Sequence, residues 1–168
     1  MLAHGGGVII NMASIASLIG LEDRFAYSMS KGAVLSMTRA CSYHCPHCYQ
    51  SRDRGTDLEM PLLIDIAREM QALGVSFFDI EGGEPLLCPD RLIELVRAID
   101  DRAEIWVNTT GAHLTDTLAA DLWRAGLAGV MVSVHSPDPA QHDAFTGVPG
   151  SFARTLEATH LASQLVPF

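Results

Sequence analysis

The 168-residue sequence predicts an α/β fold built on a parallel β-sheet. Short apolar runs alternate with segments of helical periodicity, which is the pattern of successive βα units. The apolar runs suit parallel strands that are covered on both faces of the sheet. With 48% hydrophobic and 18% charged residues, the composition is that of a globular chain long enough for one domain with a sizeable core.

Three of the predicted strands lie after residue 40. They are VSFFDI at 75–80, EIWVNT at 104–109 and GVMVSV at 129–134. Helical patterns precede, separate and follow these three strands. These are 61–74, 89–100, 115–126 and a segment that begins near Ser151 and runs into the C-terminus.

Turn and cap residues support these boundaries. Thr115 suits the N-cap of the third helix and Gly126 suits its C-terminal stop. The segment AQHDAFTG, which contains His142 and Asp143, is interpreted as a helix-capping loop.

Charge and hydropathy argue against two classes of partner. The net charge of -9 argues against nucleic acid. No apolar run approaches the ~18 residues of a membrane span. The start, MLAHGGG, lacks the basic flank and cleavage site of a signal peptide, so we predict a cytoplasmic protein without a membrane partner.

Three of the four cysteines form a CxxxCxxC motif, Cys41, Cys45 and Cys48. Cysteines in a cytosolic chain are more often metal-binding or catalytic than disulfide-bonded. Three thiolates on one loop can hold three irons of a cubic iron–sulfur cluster and leave the fourth iron open to a ligand. The motif therefore predicts a metal site at residues 41–48.

A zinc site is the alternative at these cysteines, because His44 and His47 are nearby. Cys88 could supply a fourth ligand to zinc or to a cluster. We predict instead that Cys88 is a partly buried free thiol, since a fourth thiolate would block the open iron.

The cysteine spacing, followed by GGEP at 82–85, resembles the radical S-adenosylmethionine (radical SAM) enzyme family over residues 33–168. VNTTG and VSVHS stand where the third and fourth strands of that family end. The resemblance implies an incomplete parallel (β/α) barrel, because this sequence has about four βα units and family members build six. An extra N-terminal βα segment precedes them.

The resemblance also implies the cofactors, a [4Fe-4S] cluster and S-adenosylmethionine. The motif that receives the cofactor's amino group comprises Gly82, Gly83, Glu84 and Pro85. A glycine pair at a strand end exposes backbone carbonyls to an ammonium, while a glutamate supplies negative charge or stabilises the loop.

Three further residues match the family's pattern for the rest of the cofactor. Ser133 and Asn108 would reach the ribose, and His47 takes the position that usually holds an aromatic ring. The alternative for Ser133, Asn108 and His135 is that they only satisfy backbone groups at strand ends.

A 5′-deoxyadenosyl radical generated at such a site would abstract hydrogen from a small-molecule or peptide substrate, and a reducing electron donor would be needed. Because two βα units of the family's barrel are missing, we expect feeble cleavage of S-adenosylmethionine. The unpaired edge of the fourth strand is expected to favour self-association.

Residues 5–39 resemble a different family, the short-chain dehydrogenases/reductases. Ser14, Tyr27 and Lys31 match its catalytic residues, and a lysine one helical turn from a tyrosine lowers the tyrosine pKa. No glycine-rich dinucleotide-binding unit precedes them, so this site is predicted to be vestigial. We therefore predict a reductase-like βα fragment at 1–39 and a truncated radical SAM core at 40–168. A remnant of an NAD(P)-dependent reductase and a non-catalytic zinc-binding module are the alternative functions.

The stretch AVLSMTRA belongs to both resemblances, as a helix in one and as a strand in the other. Short apolar runs are ambiguous between these two structures. The cysteine loop must lie over the sheet beside Gly82, which requires a strand leading into it. We predict that a helix beginning near Phe25 ends by about Gly32 and that Val34–Thr38 is a strand.

Overall fold

The computed structural model of the protein describes residues 34–48 and 57–165. The strands within these ranges are β1 (Val34–Thr38), β2 (Phe77–Gly82), β3 (Glu104–Thr109) and β4 (Gly129–Val132). The helices are α1 (Met60–Ala72), α2 (Pro89–Ala98), α3 (Asp116–Ala125), α4 (Pro139–Thr146) and α5 (Ser151–Leu165), and a short 3-10 turn covers Pro85–Leu87. None of the described helices combines the length and the apolar character needed to cross a membrane.

The described strands form one sheet in the order β1-β2-β3-β4. β3 runs parallel to both β2 and β4, with Asp79 beside Trp106 and Trp106 beside Gly129 in register. The predicted parallel α/β sheet is therefore confirmed for these residues. Because the strands point the same way, the segments that follow them gather at one edge of the sheet, which is where α/β proteins place their active groups.

The stretch AVLSMTRA, which the two resemblances predicted as a helix and as a strand, contains a strand. β1 covers Val34–Thr38, as predicted, so no helix continues through Arg39. Membership of a sheet settles what the short apolar run left ambiguous, because a strand here supplies one edge of β2 with hydrogen-bond partners. The predicted helix near Phe25 and the extra N-terminal βα segment lie outside the described residues.

Helices cover one face of the sheet and enclose the core with it. Phe78 and Ile80 of β2 and Val107 of β3 are fully buried there. The helices contribute Leu63, Ala67, Leu92, Leu95, Val96 and Leu122 to the same cluster. Burying each large aliphatic side chain stabilises the fold by about 2 kcal/mol, so this face holds the site's scaffold together.

The predicted helix caps have the expected geometry. Thr115 accepts a hydrogen bond from the Leu118 N–H at 3.2 Å, and Gly126 ends α3 in the left-handed region at φ 112°. The strand bounds differ by a few residues: β2 begins later than predicted and extends through Gly82, and β4 ends at Val132.

The interpretation of AQHDAFTG as a capping loop is wrong, because these residues form most of helix α4. Asp138 caps the helix by accepting a hydrogen bond from the Gln141 N–H at 2.9 Å, and Gly147 ends it at φ 71°. The helix is short and shows no clear apolar stripe, so its periodicity did not reveal it. Asp143 nevertheless caps the next helix, since its carboxylate accepts a hydrogen bond from the Phe152 N–H at 2.8 Å.

Candidate functional site

The cysteine motif lies on the segment Arg39–Cys48, here called the cysteine loop, which directly follows β1. Cys41 is exposed, and Cys45 and Cys48 are partly exposed. The Cys48 N–H donates to the Cys45 carbonyl at 3.1 Å, so the last two cysteines belong to one tight turn. All three thiols are accessible at the carboxyl-end edge of the sheet.

The three thiols are close enough to influence one another's ionisation. Burial raises the pKa of the Cys41 thiol most, a hydrogen bond from the Tyr43 N–H lowers it, and the charges of Glu84 and Cys48 raise it again. Burial likewise raises the pKa of Cys45, followed by the charges of Cys41 and Cys48. Deprotonating Cys41 and Cys45 is therefore costly unless a cation compensates the negative charge.

The donor set of the cysteine loop suits an iron–sulfur cluster. Within residues 34–48 and 57–165, no three His, Cys, Asp or Glu side chains converge on one ion position. A cubic cluster takes each thiolate on a different iron. Three exposed or partly exposed thiols on one loop supply three such ligands.

The glycine pair after β2 lies against the base of the cysteine loop. The Gly83 N–H donates to the Thr38 carbonyl at 2.6 Å, and the Glu84 N–H donates to the Ala40 carbonyl at 2.7 Å. A β-carbon on Gly83 would lie only 2.2 Å from the Ala40 oxygen, and one on Gly82 only 2.3 Å from the Thr38 oxygen. Only glycine permits this approach, which brings the two motifs together as their order along the chain predicted.

Glu84 is a fully buried anchor between two strand ends. One carboxylate oxygen accepts hydrogen bonds from the Leu86 N–H at 3.0 Å and the Thr109 hydroxyl at 2.6 Å. The other accepts from the Thr110 N–H at 2.8 Å and from the Thr110 hydroxyl. These hydrogen bonds fit the loop-stabilising role, one of the two roles that the sequence suggested for this glutamate. Pro85 begins the 3-10 turn that follows and is buried.

Polar residues line the face of the sheet opposite to the core. The Ser133 hydroxyl donates to the Asn108 side-chain oxygen at 3.3 Å, and the Asn108 side chain is also hydrogen-bonded to the Glu81 carboxylate. Glu81 and Asn108 lie near the carboxyl ends of β2 and β3, and Ser133 directly follows β4, so the two predicted ribose contacts are adjacent to each other.

Sequence reasoning missed a second feature of this face. Asp79 is only 3% exposed, and its Oδ1 has no hydrogen-bond partner. Trp106, its neighbour in register, has a buried indole nitrogen that is also unpartnered. The signal was present as two carboxylates spaced by two residues, Asp79 and Glu81, in an otherwise apolar run.

Asp79 makes stability depend on pH. Burial, and then the charge of Glu81, raise the pKa of Asp79 from 3.8 to about 6. Between those two values the folded chain holds a proton that the unfolded chain has released, so ionisation of Asp79 lowers stability as pH rises through this window.

Replacing Asp79 with asparagine, which mimics the protonated acid, should therefore raise the free energy of unfolding by about 1–3 kcal/mol at about pH 7.5. The gain should vanish below about pH 3, where Asp79 is protonated in both the folded and the unfolded chain. Urea unfolding across this pH range measures the difference, and a gain that is independent of pH would contradict the explanation.

The far side of the cysteine loop contacts α4 and the loop after β3. The His44 N–H donates to the Thr146 carbonyl at 2.9 Å, and the Cys45 sulfur lies 4.0 Å from the same oxygen. The Ser42 hydroxyl lies 3.1 Å from Nε2 of His113. Main-chain and side-chain contacts thus hold the loop from three neighbouring units of the sheet.

His47 packs against other rings. Its imidazole stacks on Phe145 with ring centres 4.4 Å apart and meets His135 edge-on at 5.5 Å. Burial lowers the pKa of His135, and the charges of His142 and His47 lower it further. A neutral His135 is therefore favoured beside the loop. Phe145 covers one face of the His47 ring.

Asp57 and Cys88 contact the end of β1, where the cysteine loop begins. Asp57 accepts hydrogen bonds from the Arg39 N–H at 2.8 Å and from the Thr38 hydroxyl at 2.9 Å, a role that the sequence did not indicate. The Cys88 thiol contacts the Thr38 hydroxyl at 3.9 Å, is partly buried and packs against the core. Cys88 is not among the charges that shift the pKa of Cys41 or Cys45.

The reductase-like residues Ser14, Tyr27 and Lys31 lie outside the described residues, so the structure carries no information about that predicted site.

Comparison with known families agrees with this geometry. The family profile of the Radical SAM superfamily matches residues 35–168, and the profile of the short chain dehydrogenases matches residues 1–45. The first match covers most of the chain, including the cysteine loop and all of the described sheet except Val34. The chain therefore belongs to the radical SAM superfamily.

Individual relatives are enzymes with different substrates. The "Probable GTP 3′,8-cyclase" of Pyrobaculum aerophilum is 34% identical over 140 residues, which are 81% of this chain and 44% of that protein. The PqqA peptide cyclase of Streptomyces rochei is 36% identical over 121 residues, 69% of this chain and 33% of that one. The AdoMet-dependent heme synthase of Methanosarcina barkeri is 32% identical over 127 residues, 71% and 35% of the two chains. The chain thus spans less than half the length of these relatives.

A solved structure supports the fold. The crystal structure of methylornithine synthase (PylB) superposes with a TM-score of 0.65 at 17% identity, covering 90% of this chain and 52% of that one. The four-stranded parallel sheet is consistent with an incomplete (β/α) barrel.

Proposed function

We propose that the chain is the core of a radical SAM enzyme, in which Cys41, Cys45 and Cys48 bind a [4Fe-4S] cluster. The single observation that carries this proposal is the close contact between the cysteine loop and the glycine pair, Gly82 and Gly83. A reduced cluster held by these cysteines would supply one electron for cleavage of S-adenosylmethionine into methionine and a 5′-deoxyadenosyl radical, which would take a hydrogen atom from a substrate.

The residues around the loop bind and orient the cofactor in this proposal. Because the Glu84 carboxylate is engaged in internal hydrogen bonds, the groups left for the cofactor's ammonium are backbone carbonyls of Gly82 and Gly83. Asn108 and Ser133 supply hydrogen bonds to the ribose hydroxyls, and His47 supplies a ring beside the cluster.

The substrate is proposed to be a small molecule or a peptide. This follows from the relatives, whose names include a GTP cyclase, a peptide cyclase and a heme synthase. A reducing electron donor is the second partner that this chemistry requires.

Anaerobic reconstitution with iron and sulfide tests the proposal. We expect a broad visible absorption band and, after reduction, an electron paramagnetic resonance (EPR) signal that changes when S-adenosylmethionine is added, because the open iron accepts a ligand. Uptake of zinc with no visible band would contradict the proposal and support the zinc-binding alternative.

Two serine variants distinguish a cysteine that binds the iron–sulfur cluster from one that does not. Cys45→Ser should lose nearly all of the cluster, because only three thiolates hold it. Cys88→Ser should keep the full iron content, since its thiol contacts Thr38. Iron and sulfide analysis per chain measures both. A loss of about a quarter or more in Cys88→Ser would contradict the three-cysteine assignment.

A narrower proposal concerns the first 39 residues. We propose that residues 1–39 derive from a short-chain dehydrogenase and are joined to the radical SAM core. The match of that family to residues 1–45 supports this proposal. Ser14, Tyr27 and Lys31 would be its catalytic residues. Titration of NADH or NADPH with the protein, followed by nicotinamide fluorescence, tests the proposal that this site is vestigial, which expects no change.

A further inference from the structure

A buried polar cluster joins α4 to α5. It consists of His142, Asp143, Thr146 and Ser151, and the side chains of His142, Thr146 and Ser151 are inaccessible to solvent. The Ser151 hydroxyl lies 2.7 Å from the Thr146 hydroxyl and 3.0 Å from Nδ1 of His142, and it donates to the Asp143 carboxylate at 2.9 Å.

These contacts determine how the histidine is protonated. The one hydroxyl proton of Ser151 goes to the Asp143 carboxylate, so Nδ1 of His142 must carry a proton and donate to Ser151. Nε2 of His142 is buried without a hydrogen-bond partner. Such a network is held tightly, because each remaining hydrogen bond is costly to lose in a buried position.

Thr146 connects this cluster to the cysteine loop. Its side chain belongs to the cluster, and its carbonyl accepts the His44 N–H at 2.9 Å and contacts the Cys45 sulfur. A carbonyl in the last turn of a helix has no partner within the helix, so it is free to bind another segment. Gly147 allows the close approach, because a β-carbon there would lie 3.2 Å from the β-carbon of His44.

We propose that this polar cluster is a positioning device for the cysteine loop, which holds the loop in a cluster-binding conformation before any metal arrives. The inference rests on the proposed function for its purpose, but the anchor itself is a property of the metal-free chain. His142, Asp143, Thr146 and Ser151 are positioning residues, since they act through the Thr146 carbonyl.

Two variants and a matched control test this role. Ser151→Ala removes the hydroxyl at the centre of the cluster, and Asp143→Asn is the gentler change. Gln71→Met is the control: Gln71 is also buried, and its amide binds Asp100 through three hydrogen bonds of 3.0 to 3.2 Å. Gln71 lies at the end of α1 that leads into β2, near the amino ends of the strands and away from the cysteine loop.

Two measurements are made on each protein. In the metal-free chain, amide hydrogen exchange at His44 reports the anchor directly. After reconstitution, iron per chain and the EPR spectrum of the reduced cluster report the loop's competence. We expect several-fold faster exchange at His44 and a loss of roughly half of the iron or more in Ser151→Ala, a smaller effect in Asp143→Asn, and wild-type values in Gln71→Met.

The outcomes separate this inference from the proposed function. Wild-type exchange at His44 and wild-type iron content in both Ser151→Ala and Asp143→Asn would overturn the positioning role. Losses in Gln71→Met equal to those in Ser151→Ala would also overturn it. If the wild-type chain takes up no cluster, the proposed function fails, whereas exchange at His44 still decides whether the anchor exists.

Discussion

Glu84→Ala is expected to lower the free energy of unfolding by about 3–5 kcal/mol, the largest effect of any single substitution in the site. The Glu84 carboxylate is fully buried and accepts four hydrogen bonds from the segments that follow β2 and β3. Alanine would leave the donors of Leu86, Thr109 and Thr110 buried without partners, and each such group costs about 1–3 kcal/mol before the structure relaxes. Urea unfolding of the metal-free chain measures the loss.

Two further substitutions make this result interpretable. Glu84→Gln should cost less, about 1–3 kcal/mol, because it keeps one acceptor oxygen but turns an amide toward donors. Glu94→Gln on the exposed side of α2 is the matched control and should stay within about 0.5 kcal/mol of the wild type. A Glu84→Ala chain as stable as this control would show that the carboxylate is not an anchor.

Gly83→Ala is expected to have the second largest effect and to act on both stability and iron uptake. The added β-carbon would lie 2.2 Å from the oxygen and 2.6 Å from the carbonyl carbon of Ala40. Both are backbone atoms, so they cannot rotate away, and the cysteine loop must move. We expect a loss of about 3 kcal/mol, at the upper end of ordinary overpacking costs, and a marked fall in reconstituted iron.

Gly74→Ala is the appropriate control for Gly83→Ala. Gly74 has φ +95° but nothing within 4 Å of the position of its β-carbon, so alanine there costs only backbone strain of about 1–2 kcal/mol. Gly74 lies just after α1, away from the cysteine loop, so iron uptake should not change. If Gly83→Ala retains full iron and is no less stable than Gly74→Ala, then close contact between the two motifs is not required.

Several elements could be predicted because their signals are local. The cap at Thr115 and the stop at Gly126 depend on residues within one turn of the helix. The cysteine spacing and the GGEP motif are also local patterns. Helix α4 escaped prediction because it spans only eight residues, too few for a periodic pattern.

The sequence by itself determined the βα alternation, the helix ends and the residue types in both motifs, since these depend on chain periodicity and short-range sterics. Only the tertiary structure decided that Val34–Thr38 is a strand, because its apolar run suits either element until a neighbouring strand offers hydrogen bonds. Only the tertiary structure showed that the Glu84 carboxylate accepts hydrogen bonds from Thr109 and Thr110, and that the Thr146 carbonyl accepts one from His44. Those partners are far apart in sequence, and no local pattern encodes which buried polar groups will meet when the strand ends come together.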